Sequence, residues 1–126
     1  MTSVRPAREL AAELWRLFDL GRFRDTLPLF SEDFEAHWPS TRERIRGREN
    51  FVALNENYPG DSRCTVRRIE ECDGGVVTVT EIANDGTTLF AVSFFSVRDG
   101  RIAAVEEYFS ENGPPPFDRY DWAERY

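Results

Sequence analysis

Between residues 6 and 20 the apolar side chains recur every three or four positions. Leu10, Leu14, Leu17 and Phe18 form one stripe, widened by Ala11 and Trp15, while Arg8, Glu9, Glu13 and Arg16 fall on the other side. That period predicts an amphipathic helix with one face in a core. Pro6 suits its first turn, and Gly21 follows where a left-handed stop is wanted. A shorter helical piece is expected over Phe23 to Phe30, weakened by Pro28 in its interior. At Phe34 the period changes to two. Phe34, Ala36 and Trp38 alternate with Glu35 and His37, a short strand closed by Pro39. Ser40 to Arg46 is polar and arginine-rich, and reads as a solvated loop. Helical spacing returns over Arg48 to Tyr58, with Phe51, Leu54, Asn55 and Tyr58 on one stripe and Pro59-Gly60 after it.

The second half reads as strands throughout. Cys64 to Cys72, Val76 to Ala83, Thr88 to Val97 and Ile102 to Ser110 are long, and the middle two are enriched in β-branched and aromatic residues. The breaks Asp73-Gly74, Asn84-Asp85-Gly86 and Arg98-Asp99-Gly100 carry the Asp-Gly hairpin signal. Beyond residue 110 the character changes: Pro114-Pro115-Pro116 precedes Phe117, Tyr120, Trp122 and Tyr126. This aromatic tail is expected to cover a pocket mouth or a neighbouring subunit. Helix, helix, strand, helix, then four antiparallel strands is the order of an α+β fold with its helices on one face of the sheet. The 126 residues make one domain, 1–126, with its core over 7–110 and the tail over 111–126.

Charge narrows the chemistry. With 23 acidic and 16 basic side chains the formal net charge is −7. A phosphate-binding surface needs a dominant positive field, so nucleic acid is not an expected partner. Every basic residue is arginine; without lysine, Schiff-base chemistry and pyridoxal phosphate attachment are excluded. His37 is the sole histidine, and Cys64 and Cys72 are the only cysteines, without the close spacing of a zinc site. Eight residues apart on one strand, the two thiols stand roughly 26 Å apart, beyond the reach of a disulfide. Free thiols point to a reducing, cytoplasmic compartment. No stretch approaches the ~20 apolar residues that cross a bilayer, and residues 1–25 lack the apolar core of a secretory signal.

Three segments carry a resemblance: LFDLGRFRDTLPLFSEDFEAHWP from Leu17, RGRENF from Arg46, and VRDGRIAAVEEYF from Val97. In order and spacing they resemble the nuclear transport factor 2-like superfamily, in particular its SnoaL-like polyketide cyclase branch. The resemblance implies a cone, in which a curved antiparallel sheet wraps around a long N-terminal helix, with helices on the concave side and a pocket inside. It also implies a homodimer through the outer sheet faces. Members include polyketide cyclases, ketosteroid isomerase, limonene epoxide hydrolase, scytalone dehydratase and non-catalytic domains, so the fold does not fix the chemistry. Against ketosteroid isomerase, the phenol-bearing position falls at Leu14, the general base at Trp38 and the oxyanion-hole acid near Ser93. All three proton-handling groups of that mechanism are absent. The epoxide hydrolase site needs two carboxylates bridged by an arginine; Glu81, Glu107 and Arg67 are the available counterparts, at a different spacing. For the cyclases, an acid on the last strand is the feature to match; Glu107 is the residue available for it, one methylene longer than the usual aspartate.

Hairpin geometry gives a separate reading of the two sheet faces. If Asn84-Asp85-Gly86 and Arg98-Asp99-Gly100 are three-residue loops, Glu81 pairs with Leu89, Val79 with Ala91, Ser93 with Val105, and Ala91 with Glu107. Val77, Val79, Glu81, Leu89, Ala91, Ser93, Phe95, Ala103, Val105, Glu107 and Phe109 then share the cavity face. Phe90, Val92, Phe94 and Tyr108 share the other, which is bulky enough for burial against a second subunit. The pocket is expected to be lined by Leu14, Phe18, Trp38, Phe51, Leu54, Tyr58, Arg67, Ala91, Ser93, Phe95, Val105 and Phe109. In such a cavity desolvation raises a carboxyl above its ordinary ~4.3, which suits Glu107 to general acid–base work. Glu81 is the other candidate carboxylate; its bland reading is an ion pair with Arg67. His37 alternates away from Trp38 and is expected to point outward.

Three readings stay open. One is a cofactor-free cyclase, isomerase or hydratase acting through Glu107 on an apolar cyclic or polyketide-like substrate. Another is a carrier or sensor with the same pocket and no proton transfer. The third is a dimerisation module whose cavity is filled by its own side chains. None of the three implies a metal, an organic cofactor or a membrane; the small-molecule readings imply a small apolar ligand.

Overall fold

A computed structural model describes residues 5–126. The first stripe forms α1 (Ala7–Asp19), which buries Leu10, Ala11, Leu14, Trp15, Leu17 and Phe18. It stops as its sequence predicts. Gly21 takes φ 72°, its N–H reaches Phe18 O at 3.0 Å, and the Arg22 N–H reaches Leu17 O at 2.8 Å. These two bonds satisfy carbonyls that the last turn would otherwise leave unpaired. The Phe23–Leu29 segment closes into a 3₁₀ helix. Pro28, which lacks an N–H, helps to explain why it does not become an α-helix. A second α-helix, α2 (Arg48–Glu56), buries Phe51 and Val52.

Six strands follow the order β2-β1-β6-β5-β4-β3 in one curved, open sheet. They are β1 (Phe30–Trp38), β2 (Glu43–Arg46), β3 (Ser62–Cys72), β4 (Gly75–Asn84), β5 (Thr87–Arg98) and β6 (Arg101–Glu111). Two of these depart from expectation. β1 begins four residues before Phe34, and Glu43–Arg46 is a strand paired to β1 where a loop was expected. Only Ile45 among those four residues is apolar and buried, so the segment carries no period to read. The sheet is also mixed, because β1 runs parallel to β6.

α1 lies along β3 in the opposite direction. Arg8 Nη1 donates to Ile69 O at 3.2 Å, and Asp19 at the far end accepts from the Arg63 guanidinium and the Cys64 N–H, both at 2.9 Å. The core fills the space between the helices and the concave face. Phe34 stacks against Phe30 at 4.6 Å and Phe51 at 5.1 Å between ring centroids, tying β1 to α2.

The hairpins correct the predicted faces. Asp85 and Gly86 have φ 46° and 86°, and Asp99 and Gly100 have 51° and 74°. Both central residues of each turn are left-handed, the signature of a two-residue type I′ connection. Asn84 therefore pairs with Thr87, and the register of β4 against β5 moves by one residue. Val77, Val79 and Glu81 turn to the convex side, and Val76, Thr78, Thr80 and Ile82 take the concave side. Between β5 and β6 a bulge near Ser96 and Val97 leaves Ala103 unpaired and restores the alternation, so Ser93 pairs with Glu107 and Phe95 with Val105. Ala91, Ser93, Phe95, Val105, Glu107 and Phe109 thus stay concave, with partners other than those expected. No helix among the described residues is long and apolar enough to cross a membrane.

Candidate functional site

Between the helices and the concave face lies a cavity of about 640 Å³. Its walls are apolar and mostly aromatic: Trp15 and Phe18 from α1, Phe51 from α2, Trp38 from β1, Phe109 from β6, and Ile82 and Leu89 from the β4–β5 hairpin. Polar residues line it as well, among them Thr41, Glu43, Asn55, Asn84, Thr87 and Glu111. A hollow of this size with largely apolar walls and polar groups among them is a usual form of a small-molecule site.

One titratable group sits deep in it. Glu107 is only 4% exposed. Its Oε1 accepts the Trp38 Nε1–H at 3.0 Å, and its Oε2 lies 2.6 Å from Ser93 Oγ. Both partners follow from register: Ser93 is its cross-strand neighbour on β5, and Trp38 ends the adjacent β1. Burial pushes the Glu107 carboxyl above its ordinary value, opposed by the two hydrogen bonds, which favour the charged form. Indole nitrogen only donates, so Oε1 is held as an acceptor and the proton belongs on Oε2. A hydroxyl both donates and accepts, so Ser93 can face Oε2 in either protonation state. Thr78, across from Ser93 on β4, takes the Trp15 Nε1–H at 3.0 Å. The sheet thereby fixes two indoles by their N–H groups and directs their rings to the cavity wall.

Phe18, Trp38, Phe51, Tyr58 and Phe109 line the cavity with Glu107. Leu14, Ala91, Phe95 and Val105 instead belong to the packed core, Leu54 packs against that core, and Ser93 reaches the site only through Glu107. Glu81 and Arg67 are corrections. Both lie on the convex side, where they form an exposed ion pair at 3.4 Å; Arg67 is the bulged residue of β3. His37 is exposed beside Glu35. Trp15, Phe23, Cys64, Ile82 and the polar residues of the lining were missing from the expected pocket, whereas Leu89, expected on the cavity face, does line it. Reading Asp-Gly as a two-residue turn would have placed Ile82 there. Burial pushes the Cys64 thiol up to about 12, which disfavours the nucleophilic thiolate. Nor do the tail aromatics close the site: none lines the cavity, and Trp122 is 82% exposed.

A curved, open six-strand sheet with an N-terminal helix along it is the nuclear transport factor 2-like cone fold. The family model described as a SnoaL-like domain matches residues 11–105, and the chain belongs to that family. Solved structures share the fold over most or all of the chain. A protein from Kribbella flavida DSM 17836, provisionally named a ketosteroid isomerase, is 28% identical with a TM-score of 0.87, covering 100% of this chain and 93% of its own. A protein of unknown function from Burkholderia xenovorans LB400, described as NTF-2 like, is 28% identical with a TM-score of 0.82, over 95% and 94% of the two chains. An epoxide hydrolase of Mycobacterium tuberculosis, described as LEH-like, shares the fold at 20% identity and a TM-score of 0.69, over 82% of each. No curated protein matches the chain.

Proposed function

We propose that this protein binds a small, largely apolar molecule in the 640 Å³ cavity and moves a proton on it with Glu107, without a cofactor. The observation that carries the reading is a carboxyl 4% exposed, opening on that cavity and held by two neutral donors. A group so placed titrates closer to neutrality than a surface glutamate and so exchanges protons with a substrate more readily at neutral pH. Oε2 is the atom that carries the proton. Loss of the proton to a bound molecule leaves a carboxylate that the Trp38 and Ser93 donors stabilise, and abstraction from carbon runs the same step in reverse. Cyclisation, isomerisation and hydration of cyclic or polyketide-like molecules all need such a step. Ketosteroid isomerase chemistry by its usual groups is not the proposal, since Leu14, Trp38 and Ser93 stand where those groups would be. The unpaired Cys64 and Cys72 thiols fit a cytoplasmic protein.

Proton transfer at carbon can be tested without knowing the natural substrate. In D2O, the wild-type protein should accelerate α-deuterium incorporation into 1-tetralone above the buffer rate, read by mass spectrometry. Glu107→Gln should return that rate to the buffer value while tetralone binding, followed by tryptophan fluorescence, stays within a few-fold. Equal exchange in the two proteins would remove Glu107 from the chemistry.

A further inference from the structure

We propose that the molecule this cavity takes carries an organic ammonium group on an apolar body, with the cation seated against Glu107. The inference rests on the pocket assigned above and names the chemistry of its ligand.

The charge inventory of the lining is one-sided. Glu43 from β2, and Glu107 and Glu111 from β6, bring three carboxylates, and among the described residues no arginine lines the cavity. The other titratable lining groups are the Tyr58 phenol and the Cys64 thiol of β3, neither of which can be positive. From β1 and β5, Glu107 meets Trp38 and Ser93, which do not supply charge. Outside the lining, Arg63 pairs with Asp19, Arg24 with Glu49 and Glu56, and Arg67, on the convex side, with Glu81; Arg42 and Arg44 flank Glu43 in the sequence and do not line the cavity. An anionic ligand would therefore meet like charge with no compensating cation.

What the carboxylate lacks is a counter-charge. A buried carboxylate is costly unless it is both hydrogen-bonded and paired with a cation. Here the hydrogen bonds are supplied and the cation is not. Each oxygen has one protein donor and retains a second lone pair for an ammonium N–H. Beside it, Trp38 and Phe109 meet edge to face with centroids 5.3 Å apart, and both line the cavity. Aromatic faces attract the carbons next to an ammonium nitrogen as well as the charge itself. The remaining walls suit the hydrocarbon part. A net charge of −7 adds a field that draws cations toward the molecule.

The test compares N,N-dimethylbenzylamine, cationic at about pH 7, with isobutylbenzene, its neutral isostere, by calorimetric titration. The amine should bind the wild-type protein at least about tenfold more tightly. Its affinity should rise with pH as Glu107 ionises, while isobutylbenzene gains nothing. Glu107→Gln, with folding checked by its thermal melt, should lose the preference and keep isobutylbenzene affinity within a few-fold. A wild-type protein that binds the isostere as well as the amine would overturn the ammonium proposal and leave the apolar pocket standing. So would a preference undiminished in the folded variant. If the variant fails to fold, a wild-type amine affinity that stays flat across the Glu107 titration overturns it. Binding of neither compound would remove the pocket reading as well.

Discussion

At the scale of single residues, Glu107 is held between opposing effects. Its burial favours the neutral form, while Trp38 Nε1–H and Ser93 Oγ–H favour the charged one. Burial is the larger effect and the folded value is raised, which fixes how stability depends on pH. An unfolded glutamate ionises near ~4.3, while folded Glu107 keeps its proton to a higher pH. Its contribution is fully present below ~4.3 and is lost as pH rises through the folded value, by about 1.4 kcal/mol for each pH unit between the two. Glutamine keeps both contacts and never ionises. Glu107→Gln should therefore gain stability relative to wild type as pH rises from ~4.3 to the point where the folded carboxyl has ionised, and no more beyond it. Paired urea melts across this range check it, and a constant difference would show that the carboxyl titrates normally. Glu107 was legible in the sequence because a carboxylate two residues before Phe109 on an alternating strand shares its apolar face. Trp38 was legible as a wall but not as its donor, since nothing local records that β1 lies beside β6.

The elements show where one-dimensional reading stops. Periodicity located both α-helices and the four long strands within a few residues of their observed bounds. It missed β2, whose pairing with β1 supplies the reason to be a strand. The turns were found but their length was not. A single residue of difference at Asp85-Gly86 sends Glu81 outward and Thr80 inward. On β5 and β6 the bulge restored the parity, so the same assumption did less harm there. Gly75, opening β4, is a direct check of the observed register. A Cβ there would run into the Phe95 carbonyl of β5. Gly75→Ala should lower stability by about 1–3 kcal/mol through displacement of β4 from β5. A melting temperature equal to that of wild type would mean that the two strands are not paired as described.

For the whole molecule, the order of elements gave the α+β cone and its family, while the volume of the hollow depended on packing that no local pattern encodes. The convex side remains to be accounted for. Phe90 and Val92 are half-buried there, and Phe94 and Tyr108 are 44% and 40% exposed, with rings edge to face at 6.2 Å. We propose that this face packs against a second copy of the chain. Sedimentation of the wild-type protein should give a dimer, and Phe94→Glu should give a monomer that keeps the far-ultraviolet spectrum of the fold. A monomeric wild type would contradict that assembly. The aromatic tail, with Phe117, Tyr120 and Trp122 all exposed, does not serve as a lid within one chain.

All the chemistry proposed for this protein depends on the ionisation of one side chain. Glutamate labelled with ¹³C at the carboxyl carbon reports it directly, because its chemical shift follows the charge; the Glu107 signal is assigned by its loss in Glu107→Gln. The Glu107 signal should show a midpoint above the ~4.3 of a free glutamate. A midpoint at or below that value would mean that water or a cation reaches the carboxylate, and would contradict the proposed chemistry.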